Sequence, residues 1–210
     1  MNTFKCQDTE RWVVQLDQAS SPDDIISAIQ AISISTPSEA AIVALIQALN
    51  CHYPSARTVA VEALVKLAPA TVEPLICAYR NSTDQGLQAH IIQALAQIGD
   101  PRATNLLAEV VGTEVANHCQ GNVRRIAARG LGQISSTHTS NRGIVQCAVE
   151  KLTWALLTPE DWGLRYAAAV SLQEIATPEA YSVLQVAHNQ ESDKVVRSRI
   201  AFALEMGCEV

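Results

Sequence analysis

Five stretches of this chain carry apolar residues at one helical spacing and lie over one another without gaps: SARTVAVEALVKL (55–67), GLQAHIIQALAQI (86–98), NVRRIAARGLGQI (122–134), GLRYAAAVSLQEI (163–175) and VVRSRIAFALEMG (195–207). Leu64, Leu95, Leu131, Leu172 and Leu204 share one column, and Ala60, Ile91, Ala127, Ala168 and Ile200 share another four residues earlier. Apolar positions four apart fall on one face of a helix. Seven residues before each Leu stands Arg57, Gln88, Arg124, Arg165 or Arg197. Four residues before that column, Asp84, Asp161 and Asp193 occupy the place of a helix N-cap, where a short side-chain oxygen accepts an unpaired backbone N–H. Tyr53 and Gln120 hold the same place in the other two stretches.

A second helix follows several of these stretches. In GDPRATNLLAEVV (99–111), Gly99 ends one helix and Pro101 starts the next. TPEAYSVLQVA (177–187) repeats the arrangement with Pro178, and PATVEPLICAYR (69–80) is a weaker copy. Upstream, Pro22 and Pro37 open the two helices of a degenerate first unit. A helix-turn-helix unit returning about every 31 residues is a compact HEAT-type hairpin. The predicted fold is all-α, a HEAT-like α-solenoid of about five to six units. A single domain 1–210 is expected, with 1–21 as an N-terminal lead-in or cap.

Composition narrows the function classes. Apolar residues make up 48% and charged residues 17%, so the chain reads as globular. The net charge of -6 argues against nucleic acid and anionic lipid as partners. The sequence predicts no membrane span and no export signal, hence a cytoplasmic protein with reduced thiols. Cys6, Cys51, Cys77, Cys119, Cys147 and Cys208 show no C-x-x-C spacing, and no H-x-x-x-H accompanies them, so no metal site is expected. Cys77 and Cys147 read as small core residues, and His90 as structural.

Departures from the period are where a repeat protein carries its individual chemistry. Leu95 and Leu131 stand 36 residues apart against 31 for Leu64 and Leu95, and the surplus falls in an irregular loop, 112–122. Leu131 and Leu172 stand 41 apart, with the surplus near SSTHTSN (135–141) and TPEDWG (158–163). The first loop contains NHCQGN (117–122). A thiol next to an imidazole just before a helix N-terminus is where His⁺ and the helix dipole stabilise a thiolate. A buried apolar Cys beside a surface His, or half of a metal site, are the competing readings of His118 and Cys119. The Arg column reads as a structural ladder, bonding the preceding Asp or a neighbouring repeat's carbonyls. Trp12, Trp154 and Trp162 suit packing between repeats, although Trp162, Tyr166 and Arg165 are also placed to line a groove.

NVRRIAARGLGQI, IGDPRA (98–103) and ATPEA (176–180) resemble the HEAT-like repeats of the phycobilisome bilin lyases of the E/F type, over nearly the whole chain from about residue 22. The length resembles the smaller F subunit, and NHCQGN resembles the His-Cys motif of the F subunit of the phycoerythrocyanin α-subunit lyase-isomerase. The resemblance implies a subunit of a heterodimeric carbon–sulfur lyase with isomerase activity. Its substrate is phycocyanobilin, with no prosthetic group, and its partners are a larger E-type lyase subunit and a phycobiliprotein α subunit. The implied activity attaches phycocyanobilin to a cysteine and isomerises it to phycoviolobilin, with His118 and Cys119 carrying the isomerisation. Arg124 and Arg125 are the nearest cations for the bilin propionates, Arg125 the better placed, and Trp162 and Tyr166 complete the expected bilin-binding set. A plain lyase or chromophore-chaperone subunit without isomerisation, and a non-catalytic interaction scaffold, are the alternatives.

Overall fold

The computed structural model describes residues 3–112 and 118–207, with side chains described for 9–112 and 121–207. Among these residues are twelve α-helices, one 3-10 turn and no strand. The helices form two compact units, 1–98 and 99–210.

The first unit contains α1 (Thr3–Gln18), α2 (Pro22–Ser33), α3 (Glu39–Ala48), α4 (Pro54–Lys66), α5 (Val72–Asn81) and α6 (Gln85–Ile98). The helix starts follow from the caps. Ser21 accepts the Asp24 N–H at 3.2 Å with Pro22 at the first helical position, and Ser38 accepts the Ala41 N–H at 3.2 Å. Pro37 thus precedes the α3 cap instead of opening the helix. Asp84 accepts the Leu87 N–H at 3.0 Å ahead of α6. Most of the lead-in 1–21 is α1, which packs on α2 and α3. Ala60, Leu64, Ile91 and Leu95 are fully buried, so the aligned columns are the core. Each buried Leu or Ile contributes about 2 kcal/mol of burial free energy.

The second unit opens with Gly99, whose φ of +70° is the left-handed conformation that ends a helix without Cβ strain. A 3-10 turn (Pro101–Ala103) leads into α7 (Thr104–Val111). Then come α8 (His118–Thr137), α9 (Arg142–Leu157), α10 (Trp162–Ile175), α11 (Pro178–Gln190) and α12 (Lys194–Gly207). Ala127, Leu131, Ala168, Leu172 and Ile200 are fully buried, whereas Leu204 on α12 is half-buried. The first three residues of the predicted polar loop 135–141 are helix, and the other four form the turn. α8 runs through Thr137 and α9 starts at Arg142, so helix length absorbs most of the 41-residue interval.

The helices α8 and α10 approach closely. A β-carbon at Gly132 would lie 2.5 Å from Ser171 Cβ and 2.9 Å from its Cα, so only glycine permits this spacing. Ser171 is buried and donates to Ala128 O at 3.0 Å, which satisfies its hydroxyl inside the contact.

Candidate functional site: the first turn of α8

The surplus residues of the 36-residue interval build one extra helical turn. α4, α6, α10 and α12 each begin three residues before their column residue, at Pro54 for Arg57, Gln85 for Gln88, Trp162 for Arg165 and Lys194 for Arg197. α8 begins at His118, six residues before Arg124. His118, Cys119 and Gln120 are that addition. Of the expected loop 112–122, residues 118–122 belong to α8, while the stretch 113–117 and the side chains of His118, Cys119 and Gln120 lie outside the described residues. Gln120, aligned with the N-caps, is inside the helix for the same reason. Successive helical positions are about 100° apart around the axis, so His118 and Cys119 belong to adjacent stripes of α8. His118 stands two turns before Arg125 on one stripe, and Cys119 two turns before Ile126 on the next. A residue in the first turn feels the positive end of the helix dipole, which favours a thiolate.

Arg124 anchors this end of α8. Its side chain is buried, its Nε donates to Val111 O at 2.9 Å at the end of α7, and its Cζ lies 5.6 Å from the centre of the Trp154 ring. Burial pushes its guanidinium below the ordinary value, and the nearby Asp161 charge opposes that shift. Three other column members do comparable work. Arg57 donates to Cys51 O at 2.8 Å, Gln88 to Ser82 O at 2.8 Å, and Arg165 to Pro159 O and Glu160 O, both at 2.9 Å. These residues thus tie α4, α6, α8 and α10 to backbone carbonyls at or just beyond the end of the preceding helix. They do not bond the preceding Asp. Arg165 also pairs with Glu191 at 2.8 Å, so it is held away from Trp162 and Tyr166 instead of lining a groove with them.

Arg125 points toward α10. Its Nη2 donates to Asp161 Oδ1 at 2.7 Å, and the guanidinium occupies the space a β-carbon at Gly163 would fill, 2.4 Å from Cζ. Burial raises the Asp161 carboxyl, but the Arg125 hydrogen bond and charge, with the Gly163 and Leu164 N–H groups, hold it below the ordinary value. Trp162 and Tyr166 follow on α10 one turn apart, 52% and 37% exposed, giving an aromatic stripe beside the Arg125–Asp161 pair. Arg125 is thus tied to Asp161 and Gly163 at the start of α10, the helix that carries Trp162 and Tyr166, and Arg124 is directed to the α7 side.

Two residues near the head of α8 were missed in the sequence. Trp154 receives a second cation, Lys151, whose Nζ lies 5.5 Å from the ring centre. The K-x-x-W spacing on one helix was the available signal, since residues three apart are neighbours on a helix surface. Cys77 is exposed, contrary to the core reading, and accepts from Asn81 Nδ2 at 3.3 Å. Cys147 is half-buried. His90 is partly buried on α6, and that burial lowers its pKa. Among the described residues no cluster of three or more His, Cys, Asp or Glu could hold a metal, and no helix is long and apolar enough to cross a membrane. A groove of about 590 Å³ lies along Thr139, Arg142, Val145, Val149 and Glu179, at the opposite end of α8 from His118.

The chain matches the family model of HEAT repeats over residues 42–118 and 113–205. It is 62% identical to the bilin biosynthesis protein PecF of Mastigocladus laminosus, over 94% of both chains. It is 68% identical to PecF of a Nostoc species, over 78% of this chain and 94% of that relative. Its fold is similar to a chain in the solved complex of CpcE and CpcF of phycocyanin lyase from Nostoc, with a TM-score of 0.68 and 30% identity, covering 79% of this chain and 99% of that one. An all-α HEAT-repeat architecture, near-complete overlap with PecF and the fold of an E/F lyase component converge, and the chain belongs to the HEAT-repeat bilin lyases of the E/F type, with the F-type subunits as its relatives.

Proposed function

We propose that this chain is the small subunit of a heterodimeric phycobilin lyase-isomerase acting in the cytoplasm. With a larger E-type subunit it attaches phycocyanobilin to a cysteine of the phycoerythrocyanin α subunit and isomerises the bound pigment to phycoviolobilin. The observation that carries this reading is the extra first turn of α8, which adds His118 and Cys119 to an otherwise regular repeat in a chain 62% identical to PecF.

Attachment adds the substrate's S–H across the ethylidene side chain of ring A, forming one C–S and one C–H bond with no redox change. Isomerisation moves a double bond out of the bridge between rings A and B, with one proton gained at one carbon and one lost at another. In this reading the Cys119 thiolate adds reversibly to the conjugated bilin and interrupts the π system while the bond migrates. The His118 imidazole delivers and removes the proton. Because the two residues occupy adjacent stripes, they meet through the pigment lying across the head of α8. Trp162 and Tyr166 offer a flat aromatic surface to the pyrrole rings, and Arg125 borders it. Arg124, bonded to Val111 O and stacked on Trp154, holds the turn in place.

A plain lyase reading is supported by the 29% identity to the phycocyanin α phycocyanobilin lyase CpcF of Synechocystis over 97% of this chain. Reconstitution separates the readings: the chain is mixed with its E-type partner, phycocyanobilin and the apo-α subunit, and the adduct's absorption is recorded. A phycoviolobilin adduct supports the lyase-isomerase, a phycocyanobilin adduct would establish the plain lyase, and no adduct would leave only a scaffold.

A further inference from the structure

Two cations approach the ring of Trp154 on α9: Arg124 from α8 at 5.6 Å and Lys151 from its own helix at 5.5 Å. Two like charges over one indole repel each other, and neither forms a salt bridge with a described carboxylate. The two differ in freedom. Arg124 is buried and its Nε is committed to Val111 O. Lys151 is half-buried, and its Nζ lies 2.9 Å from where a β-carbon of Gly112 would sit. Gly112 is the last described residue before the turn that begins at His118. Arg125, the other cation beside that turn, is already paired with Asp161.

The geometry points to Lys151, over the Trp154 indole, as the residue that binds a propionate carboxylate of the tetrapyrrole at the head of α8. A carboxylate placed there relieves the repulsion between Lys151 and Arg124 and gains a charge-assisted hydrogen bond from an ammonium that rotates freely to meet it. The indole supplies an apolar wall for the propionate's methylene groups. This site rests on the reading of the chain as a bilin lyase subunit, and it makes Lys151 a binding residue and not a catalytic one. Lys151 also faces the carbonyl end of α7, and a purely structural role there would affect stability without distinguishing one pigment from another.

The test uses the heterodimer of this chain with its E-type partner and two pigments, phycocyanobilin and its propionate dimethyl ester. The wild-type complex should have a KM for the diacid about tenfold below that for the ester, the size expected of one charge-assisted hydrogen bond. Lys151→Gln should raise the diacid KM by about the same factor, leaving kcat and the ester KM unchanged, and Lys151→Arg should keep the preference. A Lys151→Gln complex that keeps the full preference overturns the site, as does a wild-type complex with none. No adduct from either pigment in the wild-type complex would overturn the lyase reading itself, and this site with it.

Discussion

Arg125 on α8 donates to Asp161 at 2.7 Å, while Asp161 accepts the Gly163 N–H at 2.9 Å, so one carboxylate both caps α10 and tethers it to α8. Asp161→Ala loses both roles and should lower unfolding free energy by about 1–2 kcal/mol, mostly from the cap, because the pair is partly exposed. Asp161→Asn keeps an N-cap acceptor and should lose about half as much. Urea unfolding of the two variants measures this, and equal losses would show that the cap contributes nothing.

The ladder makes a graded prediction. Gln88 already performs in α6 what Arg57 performs in α4, so Arg57→Gln should cost less than about 0.5 kcal/mol and Arg57→Ala about 1. Arg165→Ala should cost more, about 2–3 kcal/mol, because it leaves the Glu191 carboxylate, 5% exposed, without its guanidinium. A flat series across these variants would remove the ladder as a source of stability.

Acid should weaken the protein in two windows. His90 is held below its ordinary value of 6.5 by burial, so its stabilising contribution is complete above pH 6.5 and declines as pH falls toward its lower folded value. Burial raises the Asp161 and Glu191 carboxyls, but their arginine partners more than offset it, and both lie below their ordinary 3.8 and 4.5. Their contribution is present above those values and is lost as pH falls through the lower folded ones. His90→Gln should abolish the upper decline and leave the lower one, as followed by urea midpoints across pH 3–8.

The α8–α10 contact has no room to spare. Gly132→Ala pushes a methyl into Ser171 and should destabilise by about 1–3 kcal/mol, with thermal unfolding as the readout. Ser171→Gly in the same chain removes the obstructing side chain and should recover part of the loss; a fully additive pair would show that the two positions do not touch.

The Leu and Ala columns were legible in the sequence because burial repeats with the helix period, and the residues they named from 60 to 200 form the core. The Asp caps were legible for the same reason. Partners of the arginines were not, because Arg124 and Arg125 are identical in type and only the three-dimensional register sends one to Val111 and the other to Asp161. Spacing located the surplus before Arg124 correctly, yet it could not distinguish a loop from an added helical turn. Lys151 was overlooked because its significance depends on sharing the Trp154 ring with Arg124 of α8, a contact no linear pattern contains. Cys77 was misassigned because an apolar neighbourhood in the chain, LICAY, does not fix which helix face turns inward.

The central claim is that the added turn of α8 performs the isomerisation. Its most direct measurement is the absorption spectrum of the adduct formed by the Cys119→Ser heterodimer with phycocyanobilin and the apo-α subunit. Covalent attachment at close to the wild-type level is expected, with the spectrum of bound phycocyanobilin. An adduct with the spectrum of phycoviolobilin would contradict it.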